Sequence, residues 1–118
     1  MKLVSFNCKG LVGPHKRSTL KRVVFLEPPD IIILQETLGI GEVVKARLES
    51  WFVGWNFETL DVRGCPVGLA IGWNDRNVKV HNLWGSELDI GISCSTLDLG
   101  EVFSVWNVYG PYLSRIPF

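Results

Sequence analysis

This chain has little with which to build a disulfide framework or a zinc site. Its three cysteines, Cys8, Cys65 and Cys94, are odd in number, widely separated and never spaced as a CxxC pair. That pattern fits reduced thiols in an intracellular protein. Long apolar runs are also missing: none approaches the roughly 18 residues a membrane span needs. Met1-Lys2-Leu3-Val4 enters a strand pattern directly, with no long apolar segment behind a basic start. The expectation is a protein that is neither secreted nor membrane-bound, in a compartment inside the cell, the nucleus included. There is no internal repeat, low-complexity tract or linker, so the 118 residues make one domain at most. Acid is absent from the start of the chain. Lys2, Lys9, Lys16, Arg17, Lys21 and Arg22 all precede Glu27, the first carboxylate. The formal net charge of +0 selects no partner, but a basic segment beside a site attracts phosphate.

What the chain has in excess is apolar and aromatic surface. Hydrophobic residues make up 47%, the mean hydropathy is +0.20, and there are five tryptophans and six phenylalanines. Such a load in a small chain implies either a rich core or an apolar face that expects a partner. The second is the expectation here.

The pattern begins as a βαβ unit. Leu3–Phe6 reads as a strand, and Gly10, Gly13 and Pro14 mark a loop. Ser18–Leu26 reads as an amphipathic helix with Leu20, Val23, Val24 and Leu26 inward and Lys16, Arg17, Lys21 and Arg22 on the opposite side. Pro28-Pro29 stops the helix. The β-branched run Ile31–Leu34 then reads as a strand buried on both faces. A second helix is expected over Glu42–Ser50. From there the texture is antiparallel: Phe52–Phe57, Gly68–Trp73, Val78–Leu83, Leu88–Ser95 and Val102–Val108, with short turns between them such as Asp61–Gly64. Ser114 would suit a helix cap.

Ligands in α/β sheets collect at the carboxyl ends of strands, and two such ends carry suitable groups. Glu36 follows the Ile-rich strand and Asn7 ends the first. A hard cation takes oxygen ligands, often one or two carboxylates with water and phosphate, and an amide can contact the same ligand sphere. Tyr109, ending the last strand, could donate its phenol to a phosphoryl oxygen as charge builds there. Each residue alone has a plainer role: a solvated carboxylate, a turn asparagine, an aromatic cap on the core. The basic residues alone would more often form a solvated helix face.

The blocks Ser5-Phe6-Asn7-Cys8-Lys9-Gly10, Pro29-Asp30-Ile31-Ile32-Ile33-Leu34-Gln35-Glu36-Thr37, Arg63-Gly64 followed by Gly68-Leu69-Ala70-Ile71 and Trp73, and Asn107-Val108-Tyr109-Gly110-Pro111 stand in an order that resembles the endonuclease/exonuclease/phosphatase superfamily. Within it, the chain is most similar to the endonuclease domain of plant non-LTR (LINE-type) retrotransposons. The resemblance spans nearly all of residues 1–118 but only the N-terminal half of that domain. It implies an α/β fold, the first part of a two-sheet sandwich with a βαβ start followed by antiparallel strands. It also implies Mg²⁺-dependent hydrolysis of DNA phosphodiesters, with Mn²⁺ an acceptable substitute. Glu36 would then be a metal ligand, Asn7 would support the metal and phosphate, and Tyr109 would contact the scissile phosphate. Lys9, Lys16 and Arg17 would bind nucleic acid.

The chain also departs from the family. One glycine of the family's Gly-Gly pair is Val67, leaving Gly68, and Tyr112 stands where many relatives carry Asn or His. The family's later Asp-x-Asn and Ser-Asp-His blocks have no counterpart: Asp89 and Asp98 lack that context, and His15 and His81 read as surface or strand residues. Losing one catalytic contact commonly costs about 10²–10⁴ in rate, so the expectation is no substantial nuclease activity from this stretch alone. The second sheet is expected to be missing, leaving an open sheet face suited to self-association. Two other readings stay open. One is a phosphoesterase of the same superfamily acting on phosphoinositides or sphingomyelin; the other is a non-enzymatic relic that binds nucleic acid.

Overall fold

The computed structural model describes residues 1–11, 13, 15–62 and 67–109. In order they form β1 (Leu3–Asn7), α1 (Lys16–Leu26), β2 (Ile31–Gln35), α2 (Gly41–Trp51), β3 (Trp55–Leu60), β4 (Leu69–Asn74), β5 (Val78–Gly85), β6 (Asp89–Thr96) and β7 (Val102–Val108). Two sheets result. One has the order β1-β2-β4-β3 and the other the order β5-β6-β7. Strands β1 and β2 are parallel, as a βαβ unit requires, and every other pairing is antiparallel. The fold is an α/β arrangement of two packed sheets.

Strand β2 is the centre of the molecule because its four aliphatic residues serve two cores. Ile31 and Ile33 face the second sheet and join Leu69, Ile71 and Trp73 against Ile90, Ile92 and Val105. Ile32 and Leu34 face the helices and pack with Leu20, Val44, Leu48 and Phe57. Burying each such side chain is worth about 1.5–3 kcal/mol, so the Ile-rich run stabilises both layers at once.

The expectation of a missing second sheet is overturned here. Its three strands cover the inner face of the first sheet, so that face offers no surface for self-association. Most of the aromatic excess is accounted for inside the chain. Phe52, Phe57 and Trp73 are buried, and Trp51, Trp55 and Trp84 are half-buried, whereas Phe25 and Trp106 are exposed.

Several element boundaries also differ from expectation. The third strand starts at Trp55, not Phe52, because α2 runs through Trp51. Phe52 N closes that helix on Leu48 O at 3.0 Å, and Gly54 turns the chain at φ 85°. Helix α1 begins at Lys16, since the His15 carbonyl already accepts Thr19 N at 2.9 Å. Leu26, expected to face inward, is exposed. No described helix is long and apolar enough to cross a membrane. Arg63, Gly64, Cys65, Gly110, Pro111, Tyr112 and Ser114 lie outside the described residues.

Candidate active site at the strand ends

Parallel strands deliver their carboxyl ends to the same edge of a sheet, and here Asn7 stands opposite Gln35. The ladder continues beyond both strands. Cys8 N donates to Gln35 O at 2.8 Å, and Gly10 N donates to Glu36 O at 2.7 Å. Asn7 and Glu36 therefore leave neighbouring strands at adjacent levels.

The backbone at this edge is bent into a conformation that side chains disfavour. Lys9, Glu36 and Leu38 have φ of 48°, 54° and 50° and are the non-glycine residues with positive φ among those described. Left-handed backbone costs roughly 1–2 kcal/mol per residue, and strain of this kind collects at functional sites. Local bonds hold the turns. The Asn7 side-chain Oδ1 accepts Lys9 N at 3.2 Å, and Thr37 N donates to Gly68 O at 3.3 Å. A Cβ on Gly68, itself at φ 54°, would come within 1.9 Å of Thr37 Oγ1. Gly68 is thus demanded by the packing.

A buried amide brings the third strand end to the same place. Asn107, only 1% exposed, donates from Nδ2 to Leu34 O at 2.9 Å and to Ala70 O at 2.8 Å. Gln35 Nε2 in turn donates to Val108 O at 2.7 Å and reaches Asn107 Oδ1 at 3.4 Å. Strand β7 of one sheet is in this way fastened to β2 and β4 of the other. Tyr109 follows Val108 directly, at the end where Glu36 follows Gln35. Its N donates to Leu88 O at 2.9 Å, and its half-buried ring packs on the inter-sheet core, so the plainer role of core cap is also filled.

Beside Asn7, between the end of β1 and the start of α1, lies a cleft of about 350 Å³ lined by Asn7, Lys9, His15, Lys16, Thr19 and Phe6. Lys16 was expected on the solvated side of its helix. It turns inward instead, its Nζ donating to Cys8 O at 2.7 Å, because the strand-end turn leaves that carbonyl open. Arg17 is exposed on the helix and does not line the cleft. Burial pushes the Cys8 thiol up to about 11, with the Lys16 ammonium opposing and the Glu36 carboxylate reinforcing the rise. Cys8 is therefore a neutral thiol near pH 7, unsuited to bind a soft metal.

Among the described residues no three His, Cys, Asp or Glu side chains converge. The oxygen donors are one half-buried carboxylate, Glu36, and the exposed amide of Asn7, on neighbouring strand ends. Oxygen donors of this sort fit Mg²⁺ or Mn²⁺, which complete their shells with water and phosphate. His15, set aside in the sequence, lines the cleft, whereas His81 bonds Ser95 on the second sheet at 2.8 Å. Gln35 and Asn107 were missed as site-building residues, and Lys16, expected to bind nucleic acid, was not expected to turn inward. The only sequence signal for the first two was their position beside Glu36 and Tyr109.

No family model matches the chain, and no curated protein matches it. Solved structures do match. D. rerio TDP2 humanised by 14 mutations superposes with a TM-score of 0.67 at 15% identity, covering 90% of this chain and 45% of that one. The AP endonuclease LMAP from Leishmania major superposes with a TM-score of 0.66 at 18% identity, covering 92% of this chain and 39% of that one. Both have the endonuclease/exonuclease/phosphatase fold, and at these identities the likeness is one of fold. The chain spans less than half the length of either structure.

Proposed function

We propose that this chain carries part of a metal-dependent phosphodiesterase centre acting on DNA, of the kind found in the endonuclease domains of plant non-LTR retrotransposons. The observation that supports it most is the convergence of three strand ends, bearing Asn7, Glu36 and Tyr109, at one edge of a fold shared with an AP endonuclease. Glu36 and Asn7 would hold Mg²⁺, or Mn²⁺ in its place, and the bound ion would supply positive charge to a phosphoryl oxygen. Lys9 and Lys16 hold a DNA phosphate in the adjoining cleft, and Arg17 meets the next one along the helix. Tyr109 donates a hydrogen bond where charge builds on the phosphate. With one carboxylate at the edge, these groups bind and orient DNA better than they activate water. On this reading the 118-residue chain alone binds nucleic acid and cleaves it poorly.

Two measurements test this. The first is Mn²⁺-induced NMR line broadening, which should centre on the amides of Asn7 and Glu36 and weaken in Glu36→Gln. Broadening elsewhere, or none, removes the metal assignment. The second is nicking of supercoiled plasmid in Mg²⁺, expected to be negligible for this chain. Robust Mg²⁺-dependent nicking that vanishes in Glu36→Ala would show that no further groups are needed for catalysis.

A further inference from the structure

Helix α1 carries a second surface away from the strand ends. Its carboxyl half, with Pro28 and the end of α2, encloses an open groove of about 680 Å³ lined by Lys21, Arg22, Val24, Phe25, Pro28 and Phe52. The floor is apolar and in part aromatic, and the two cations stand on its rim. Phe25 is 83% exposed among the described residues, an uncommon position for a phenylalanine. No acid occurs between Lys16 and Leu26, so every charged side chain of the helix is a cation.

We propose that this groove receives an unpaired nucleotide of a DNA strand, its base against Phe25 and its phosphate between Lys21 and Arg22. The inference rests on the reading of DNA as partner. The groove offers what a single-stranded nucleotide needs: an aromatic side chain for the base, with two cations one helical turn away for its phosphate. An acidic peptide with an apolar anchor would match the charge as well. Continuity favours nucleic acid. The same helix begins with Lys16 in the cleft and Arg17 beside it, and Phe25 lies nine residues on, about 14 Å along the axis. Arg17 and Lys21, one turn apart on the same side of the helix, would carry the phosphates from the strand ends to the groove.

The test is fluorescence anisotropy with labelled oligothymidylate and a labelled duplex of equal length, at low salt and without divalent metal. Because Phe25 is exposed, Phe25→Ala leaves the fold intact. It should weaken oligothymidylate binding about 10-fold and duplex binding by less than about 2-fold. The double variant Lys21→Gln, Arg22→Gln should weaken both and reduce the single-strand salt dependence by about 1.4 log units per log unit of salt. Unchanged oligothymidylate binding in Phe25→Ala overturns the groove assignment. So does an acidic phenylalanine-containing peptide that binds there without displacing the oligonucleotide. If the unmodified chain binds no DNA, the groove and the DNA reading fail together. The Mn²⁺ broadening at Glu36 would then still stand or fall separately.

Discussion

Replacing Asn107 with alanine should unfasten the two sheets at the end where the candidate site lies. Its Nδ2 makes two short bonds, to Leu34 O and Ala70 O, in a place closed to water. Each is worth about 1 kcal/mol net, and carbonyls left facing an unfilled space add about 1 kcal/mol more. The third contact, Gln35 Nε2 to Oδ1 at 3.4 Å, is too long to add much. The sum is about 3 kcal/mol. With an unfolding entropy of about 2.1 cal/mol/K per residue over this chain, that lowers Tm by about 12 °C. Circular dichroism melts and urea titrations measure it. Asn107→Leu, which keeps most of the volume and loses the bonds, separates polarity from packing. It should recover about 1 kcal/mol of the loss, not all of it. A Tm shift under about 2 °C for Asn107→Ala, or wild-type stability for Asn107→Leu, would refute the clamp.

Gly68→Ala should destabilise by about 3 kcal/mol, combining left-handed strain with the collision against Thr37 Oγ1. Gly54→Ala is the matched control: its φ of 85° is also left-handed but nothing lies within 4 Å, so it should cost only about 1 kcal/mol, and equal losses at both sites would contradict the packing argument. Cys8 gives an alkaline prediction, since its folded thiol is held up from 9.0 to about 11 by burial. A raised thiol contributes stability below the unfolded value, and that contribution is lost as pH rises through the folded one. Between pH 9.0 and about 11 the wild type should lose on the order of 2 kcal/mol relative to Cys8→Ala; a flat difference across that window would show that the thiol is not buried as described.

Local pattern made most of the elements legible. Continuous β-branched residues in Ile31–Leu34 identified a strand buried on both faces, and Pro28-Pro29 pointed to the end of the first helix, at Leu26. Phe52 misled because an aromatic in a run with Val53 and Trp55 has the composition of a strand. The helix before it carried on through Trp51 and used Phe52 N as its last donor. Lys16 misled for a similar reason. Its position on the helical wheel is polar, but a lysine stem can lie along the surface and carry its ammonium to a distant carbonyl. The aromatic excess could not be assigned from composition, because counting tryptophans does not reveal whether the same chain covers them. That depends on β4 inserting between β2 and β3, and on three further strands folding over Ile33 and Ile71.

The candidate site divides along the same line. The adjacency of Asn7 and Glu36 follows from two strands and the helix between them, within the first third of the chain, so it could be read locally. Tyr109 is brought to that edge by side-chain bonds between the sheets, from Gln35 to Val108 O and from Asn107 to Leu34 O and Ala70 O, and neither residue type advertises such a role. The left-handed backbone at Lys9, Glu36 and Leu38 was equally invisible, because lysine, glutamate and leucine are not residues that favour it. They adopt it because the extended ladder, through Gly10 N to Glu36 O and Thr37 N to Gly68 O, fixes the chain on both sides of Glu36. A glycine at position 36 would relieve roughly 1–2 kcal/mol of strain. That a carboxylate stands there at such a cost is what the proposed metal-holding role of Glu36 would explain.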